Sequence, residues 1–92
     1  MSKFTPGKWR ARPSKYGGEI HIDDTNGKAI AAIHRMKEDG EQEANAHLIA
    51  SAPDLLEACK MFLTLVTEQQ LFSGAALVKA KDAIAKAEGK DA

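Results

Sequence analysis

Up to Lys37, apolar residues tend to alternate with polar ones, and beyond it they recur every three or four positions. Alternation belongs to a half-buried strand and the longer spacing to an amphipathic helix, so the change of rhythm predicts a β-rich first part and a helical second part. Three short β-tolerant stretches, Trp9 to Pro13, Glu19 to Asp23 and Lys28 to Met36, are separated by Ser14-Lys15-Tyr16-Gly17-Gly18 and by Asp24-Thr25-Asn26-Gly27. Both separators carry the Gly or Asn that tight turns with positive φ require, which predicts an antiparallel meander. Loop length around Asn26-Gly27 then sets the register. A two-residue loop pairs Thr25 with Lys28 and sets Ile22 opposite Ala31. A three-residue loop with Gly27 as a left-handed bulge pairs Asp24 with Lys28, so that Ile22 meets Ile30 and Ile20 meets Ala32. The second is preferred because both isoleucines of strand two then lie beside Ile30 on one face. It leaves Glu19, His21, Asp23 and Arg35 outside.

In the helical part, Asp39-Gly40-Glu41-Gln42-Glu43 supplies a capping residue and first-turn acids, and Ala44 to Ala50 are good helix formers, so a first helix is expected to end near Ser51. Pro53 fits the first turn of a second helix. Leu55, Leu56, Cys59, Phe62, Leu63 and Val66 form its apolar stripe as far as about Gln69, and Leu56, Phe62 and Leu63 are expected to line the main core. Phe72-Ser73-Gly74 interrupts the pattern. A third helix follows from Ala75 to Glu88, closed by Gly89, with residues 90–92 frayed. The expectation is a single α+β domain: a three-stranded antiparallel meander over 1–37, one face of it covered by two or three helices from 38–89.

The 92 residues suffice for one small domain, and the 43% hydrophobic and 28% charged composition is that of a folded chain. No apolar run approaches the ~18 residues that span a bilayer, and Met-Ser-Lys-Phe-Thr-Pro-Gly-Lys has no signal-peptide stretch, so a cytoplasmic protein without membrane contact is expected. Net charge is zero, but unevenly spread. Residues 1–37 hold Lys3, Lys8, Arg10, Arg12, Lys15, Lys28, Arg35 and Lys37 against Glu19, Asp23 and Asp24, a surplus of five positive charges. Such an imbalance either attracts an anionic partner or is neutralised by the other half in the fold.

Catalytic chemistry finds little support. The single Cys59 falls within an apolar stripe, where a thiol is ordinarily buried and inert. His21, His34 and His47 lack the spacing of a zinc site, and the preferred register keeps His21 and His34 apart. Asp23-Asp24 flanks a turn and the acids from Glu38 to Glu43 open a helix, so both groups have structural explanations. Gly17-Gly18 lacks the flanking pattern of a phosphate-binding loop. No enzyme, cofactor, metal or small-molecule substrate is expected.

The clearest functional pattern is Lys8, Arg10 and Arg12, which alternate with Trp9, Ala11 and Pro13 and therefore share one face of the first strand, while Trp9 turns inward. With Lys3 before them, Lys15 and Tyr16 after them, and Lys28 and Arg35 on the other strands, they suit nucleic-acid phosphates or an acidic protein groove. The same charges would also protect an edge strand from aggregation.

The segment Glu43-Ala44-Asn45-Ala46-His47-Leu48-Ile49-Ala50-Ser51-Ala52-Pro53-Asp54-Leu55-Leu56-Glu57-Ala58, with the opening Thr5-Pro6-Gly7-Lys8-Trp9, resembles a widespread group of small phage and prophage proteins. In length and whole sequence the chain also resembles phage-encoded anti-CRISPR proteins acting on the type I-F system. That resemblance implies a non-catalytic inhibitor in the host bacterial cytoplasm. It would bind Cas protein subunits of the crRNA-guided surveillance complex (Csy, or Cascade), with possible contact to guide RNA, and block target DNA binding or hybridisation. Many such inhibitors are acidic DNA mimics, a pattern from which this neutral chain with a basic half departs. The rival reading is a small phage DNA- or RNA-binding accessory protein.

Overall fold

The structure, a computed structural model, describes residues 4–69 and 74–90. Three strands, β1 (Arg10–Pro13), β2 (Ile20–Asp23) and β3 (Ala29–Ile33), precede three helices, α1 (Glu41–Ala50), α2 (Ala52–Gln69) and α3 (Ala75–Ala87). The sheet is antiparallel in the order β1-β2-β3, the expected meander, and the class is α+β. The chain forms two compact units. One is Thr5–Pro53, with the sheet and α1; the other holds the chain from Asp54 onward, with nearly all of α2 and with α3.

In the sheet unit, alternation sorts the side chains as period two requires. The partner rows Ala11, Ile22, Ala31 and Pro13, Ile20, Ile33 share a face, and Arg10, Asp23, Ala29 and Arg12, His21, Ala32 share the other. α1 contacts all three strands, and it is the helix that covers the apolar face in this unit, where two or three were expected. Ile22 is completely buried there, and Ala46 of α1 nearly so.

The β2–β3 register combines features of both sequence alternatives. At the turn, the Asp24 amide donates to the Lys28 carbonyl at 2.9 Å, as the three-residue loop requires, and Gly27 adopts φ 83°. Asp23 then pairs with Ala29, but Ile22 pairs with Ala31 and Ile20 with Ile33, so the preferred Ile22–Ile30 and Ile20–Ala32 pairs do not form. A bulge accounts for the difference. Ile30 is the extra residue on β3, which returns the strand to the phase of the shorter loop. The same phase places Ile20 against Ile33 and so extends the apolar face by one isoleucine. β3 ends at Ile33, three residues before the expected Met36, which is exposed.

α1 starts without a side-chain cap. Its N-cap is Gly40 at φ 80°, within the expected capping segment, and Glu41 and Glu43 supply the expected first-turn acids. At the other end, Ser51 closes the helix, its Oγ donating to the His47 carbonyl at 2.8 Å and its amide at 3.0 Å. Pro53 follows in the first turn of α2, where a missing N–H costs nothing.

In the helical unit the expected core is only partly closed. Val66 is buried and Leu56 and Leu63 are half-buried, but Phe62 remains 60% exposed and Cys59 is also exposed. The reason is geometric: α2 and α3 leave an apolar groove of about 370 Å³ between them, and both side chains line it. Lys60 Nζ reaches Glu88 Oε2 at 2.7 Å, and Lys90 lies 3.6 Å from the same carboxylate, which these cations hold below the usual glutamate pKa. The expected chain break at Phe72-Ser73 and the last two residues of the expected frayed tail lie outside the described residues.

Candidate partner-binding surface

The sheet face opposite α1 carries Arg10, Arg12, His21 and Asp23. Its chemistry is decided by one pair. Arg12 and Asp23 are diagonal neighbours across β1 and β2, and Arg12 Nε donates to Asp23 Oδ2 at 2.6 Å, with Nη2 3.5 Å from Oδ1. Contrary to the expectation that it stands outside, Asp23 is buried. The guanidinium hydrogen bond holds its carboxyl below the usual aspartate range against the opposing effect of burial, with smaller contributions from the charges of Arg12, His21 and Arg10. The same bond raises Arg12 above its ordinary value. Arg12 is therefore committed to the fold, and the line of free cations expected along β1 loses its last member.

The other cations separate to the two ends of the sheet. At the β2–β3 turn stand Lys8, Arg10 and Lys28, all exposed and, among the described residues, without an ion pair. Four hydrogen bonds and one close approach set this end. Asp24 Oδ1 accepts from the Asn26 amide at 2.9 Å and the Lys28 amide at 2.8 Å, the self-bonding turn predicted for it. Thr25 Oγ1 donates to the Lys8 carbonyl at 3.2 Å, and Gly7 adopts φ 87° so close to Thr25 that a Cβ there would lie 2.8 Å from its hydroxyl. Trp9 Nε1 donates to the Thr5 carbonyl at 3.1 Å and curls the segment on itself. Thr5-Pro6-Gly7-Lys8-Trp9 is thus a structural clip that holds Lys8 against the β2–β3 turn at Thr25.

At the opposite end are Lys15, Tyr16 and Arg35. Ser14 Oγ accepts the Tyr16 amide and donates to the Tyr16 carbonyl, which leaves the Tyr16 side chain 83% exposed. Arg35 lies against Gly18, where an added Cβ would strike its guanidinium. His34 sits 3.2 Å from Glu19, and His21 pairs with Ala32, so the two histidines have different partners. Gln42 is the residue that sequence reasoning missed. Its Nε2 donates to the Gly18 carbonyl at 2.8 Å and to the Ile33 carbonyl at 2.9 Å, tying the first turn of α1 to the β1–β2 turn and the end of β3. That tie also brings acids to this end, because Glu41 and Glu43 occupy the same helical turn.

Charge across the unit follows from this arrangement. Thr5–Pro53 holds seven basic and seven acidic residues, so the positive surplus of the sheet is balanced by acids at the start of α1. The balance is spatially uneven: Glu41 and Glu43 stand at the end with Lys15 and Arg35, whereas at the other end Asp23 is taken by Arg12 and Asp24 by the turn amides, and Lys8, Arg10 and Lys28 stay exposed. Lys3 lies outside the described residues.

Among the described residues no group of three or more His, Cys, Asp or Glu is placed to hold a metal ion. No described helix is long and apolar enough to cross a membrane. Residues 1–91 match the model of a family described as Salmonella phage P22 protein Y8K6. No curated protein and no solved structure matches the chain.

Proposed function

The chain belongs to the Salmonella phage P22 protein Y8K6 family, and we propose that this small phage protein is a non-enzymatic inhibitor of the type I-F crRNA-guided surveillance complex. It binds Cas subunits, with guide RNA within reach of its cations, and blocks target DNA binding or hybridisation. Two kinds of support meet here. The resemblance in length and sequence to type I-F anti-CRISPR proteins supplies the class of target. The single structural observation that carries the reading is the set of exposed cations Lys8, Arg10 and Lys28 at the β2–β3 turn end of the sheet. Exposed cations held by a rigid turn suit a phosphate backbone or an acidic protein surface, and they do not suit a DNA mimic.

The test is a pull-down of the tagged protein with a purified type I-F complex, followed by binding of labelled target DNA. Capture of the complex together with loss of DNA binding supports the proposal. Tight binding of free DNA or RNA by the isolated protein, with no capture of the complex, would instead identify a nucleic-acid-binding accessory protein, the reading the same cations also favour.

A further inference from the structure

The sheet-unit reading leaves the α2–α3 unit unused, and that unit has an unusual surface. Stepping around α2, the side chains Met61, Leu65, Ala58, Phe62, Leu55, Val66, Cys59, Leu63 and Leu56 share one broad side, entered only by Asp54 in the first turn and Gln69 in the last. At the helical repeat this is an arc of about 220°, roughly twice the stripe that one packed neighbour covers. α3 contributes Leu77 and Ala80 to the groove beside it, and the far part of the arc stays in water: Leu55 is 48%, Met61 66%, Phe62 60% and Leu65 50% exposed.

The charges at the margins differ between the two helices. On α2, Glu57 and Glu68 stand along the edge beside Met61, and Asp54 lies between Met61 and Leu65 in the first turn, while Lys60 stands on the other edge and is occupied by Glu88. On α3, Lys79, Lys81 and Lys86 border the apolar residues, with Asp82 as its single acid. All six of these α2 acids and α3 lysines are exposed, and none has an ion pair among the described residues. One hairpin thus presents an apolar surface with an acidic margin on one helix and a basic margin on the other.

We propose that two copies of this chain associate through their α2–α3 hairpins about a two-fold axis, α2 of one copy lying against α3 of its partner. The observations select this occupant and this arrangement. A two-fold contact requires a surface complementary to itself, and the hairpin carries both charge signs and both apolar partners. Setting α2 against its own copy would oppose acids with acids, whereas α2 against the partner's α3 opposes Asp54, Glu57 and Glu68 with lysines. The exposed parts of the α2 strip leave on the order of 400 Å² of apolar surface in water, about half of the ~800 Å² that each partner gives to a stable interface. The association is independent of the inhibitor reading.

Sedimentation equilibrium of the full chain over a broad dilution series tests it. The expected result is a mass moving from one to two chains as concentration rises, with Phe62→Asp remaining a single chain and keeping its helical circular dichroism. Should Phe62→Asp not fold, exposed charges provide a second route. A Glu57→Lys, Glu68→Lys chain and a Lys79→Glu, Lys86→Glu chain should each dimerise at least ~10-fold more weakly than wild type, and an equimolar mixture should restore dimers, because the mixed pair has opposite charges at both contacts. A wild-type chain that stays single at every concentration overturns the proposal, and so do charge-reversed chains that each dimerise as well as wild type.

Discussion

Arg12 and Gln42 show how single side chains decide what the sheet can do. Alternation put Arg12 on the same face as Arg10, and that placement holds, but period two says nothing about a partner on the neighbouring strand. The pairing with Asp23 depends on the β1–β2 register, so it becomes visible only once Arg12 is set opposite His21. Because Asp23 has a lowered pKa in the fold, its contribution to stability is full above the ordinary carboxylate range and is lost as pH falls through the depressed value. Urea unfolding at neutral pH and at acid pH should therefore show an acid-dependent loss that is smaller in Asp23→Asn. An identical acid dependence in the variant would remove Asp23 as its source. Gln42 lies in a polar run that reads as an ordinary first helical turn, and only the folded chain shows its amide bridging two carbonyls. Gln42→Ala should cost about 1–2 kcal/mol, the net worth of two such bonds. Measured unfolding free energies unchanged from wild type would show that the bridge contributes nothing.

At the scale of elements, turns and helix spans were well marked in the sequence and packing was not. Gly27, Ser51 with Pro53, and the apolar spacing placed the β2–β3 turn, the α1–α2 junction and the three helices closely. The bulge at Ile30 was hidden because an alanine-rich strand offers little pattern to fix its phase: Ala29, Ala31 and Ala32 fit either face. Likewise, the stripe on α2 predicts an apolar face without saying what covers it, which is why Phe62 and Cys59 were assigned to a closed core. Two substitutions separate these cases. Ile22→Ala, at a fully buried site in the sheet unit, should cost about 2–5 kcal/mol in chemical denaturation. Phe62→Ala, measured at dilutions where single chains prevail, should cost clearly less than the ~3–5 kcal/mol of a buried phenylalanine. Equal losses at the two positions would mean that Phe62 is buried after all.

On the scale of the whole molecule, the electrostatic account replaces a basic half with a basic end. The surplus of five charges over 1–37 was legible from the sequence, but its cancellation by the acids around α1 depends on which end of the sheet the helix joins, which Gln42 determines. Lys8, Arg10 and Lys28 therefore differ from Lys15 and Arg35, which share their end with Glu41 and Glu43. The most direct measurement is target-DNA binding by a purified type I-F complex, titrated with wild type, with Arg10→Glu, Lys28→Glu and with Lys15→Glu, Arg35→Glu, each confirmed folded by circular dichroism. Wild type should abolish DNA binding, the first double variant should need at least ~10-fold more protein for the same effect, and the second should stay close to wild type. A complex that binds its DNA undisturbed at saturating wild-type protein would contradict the account.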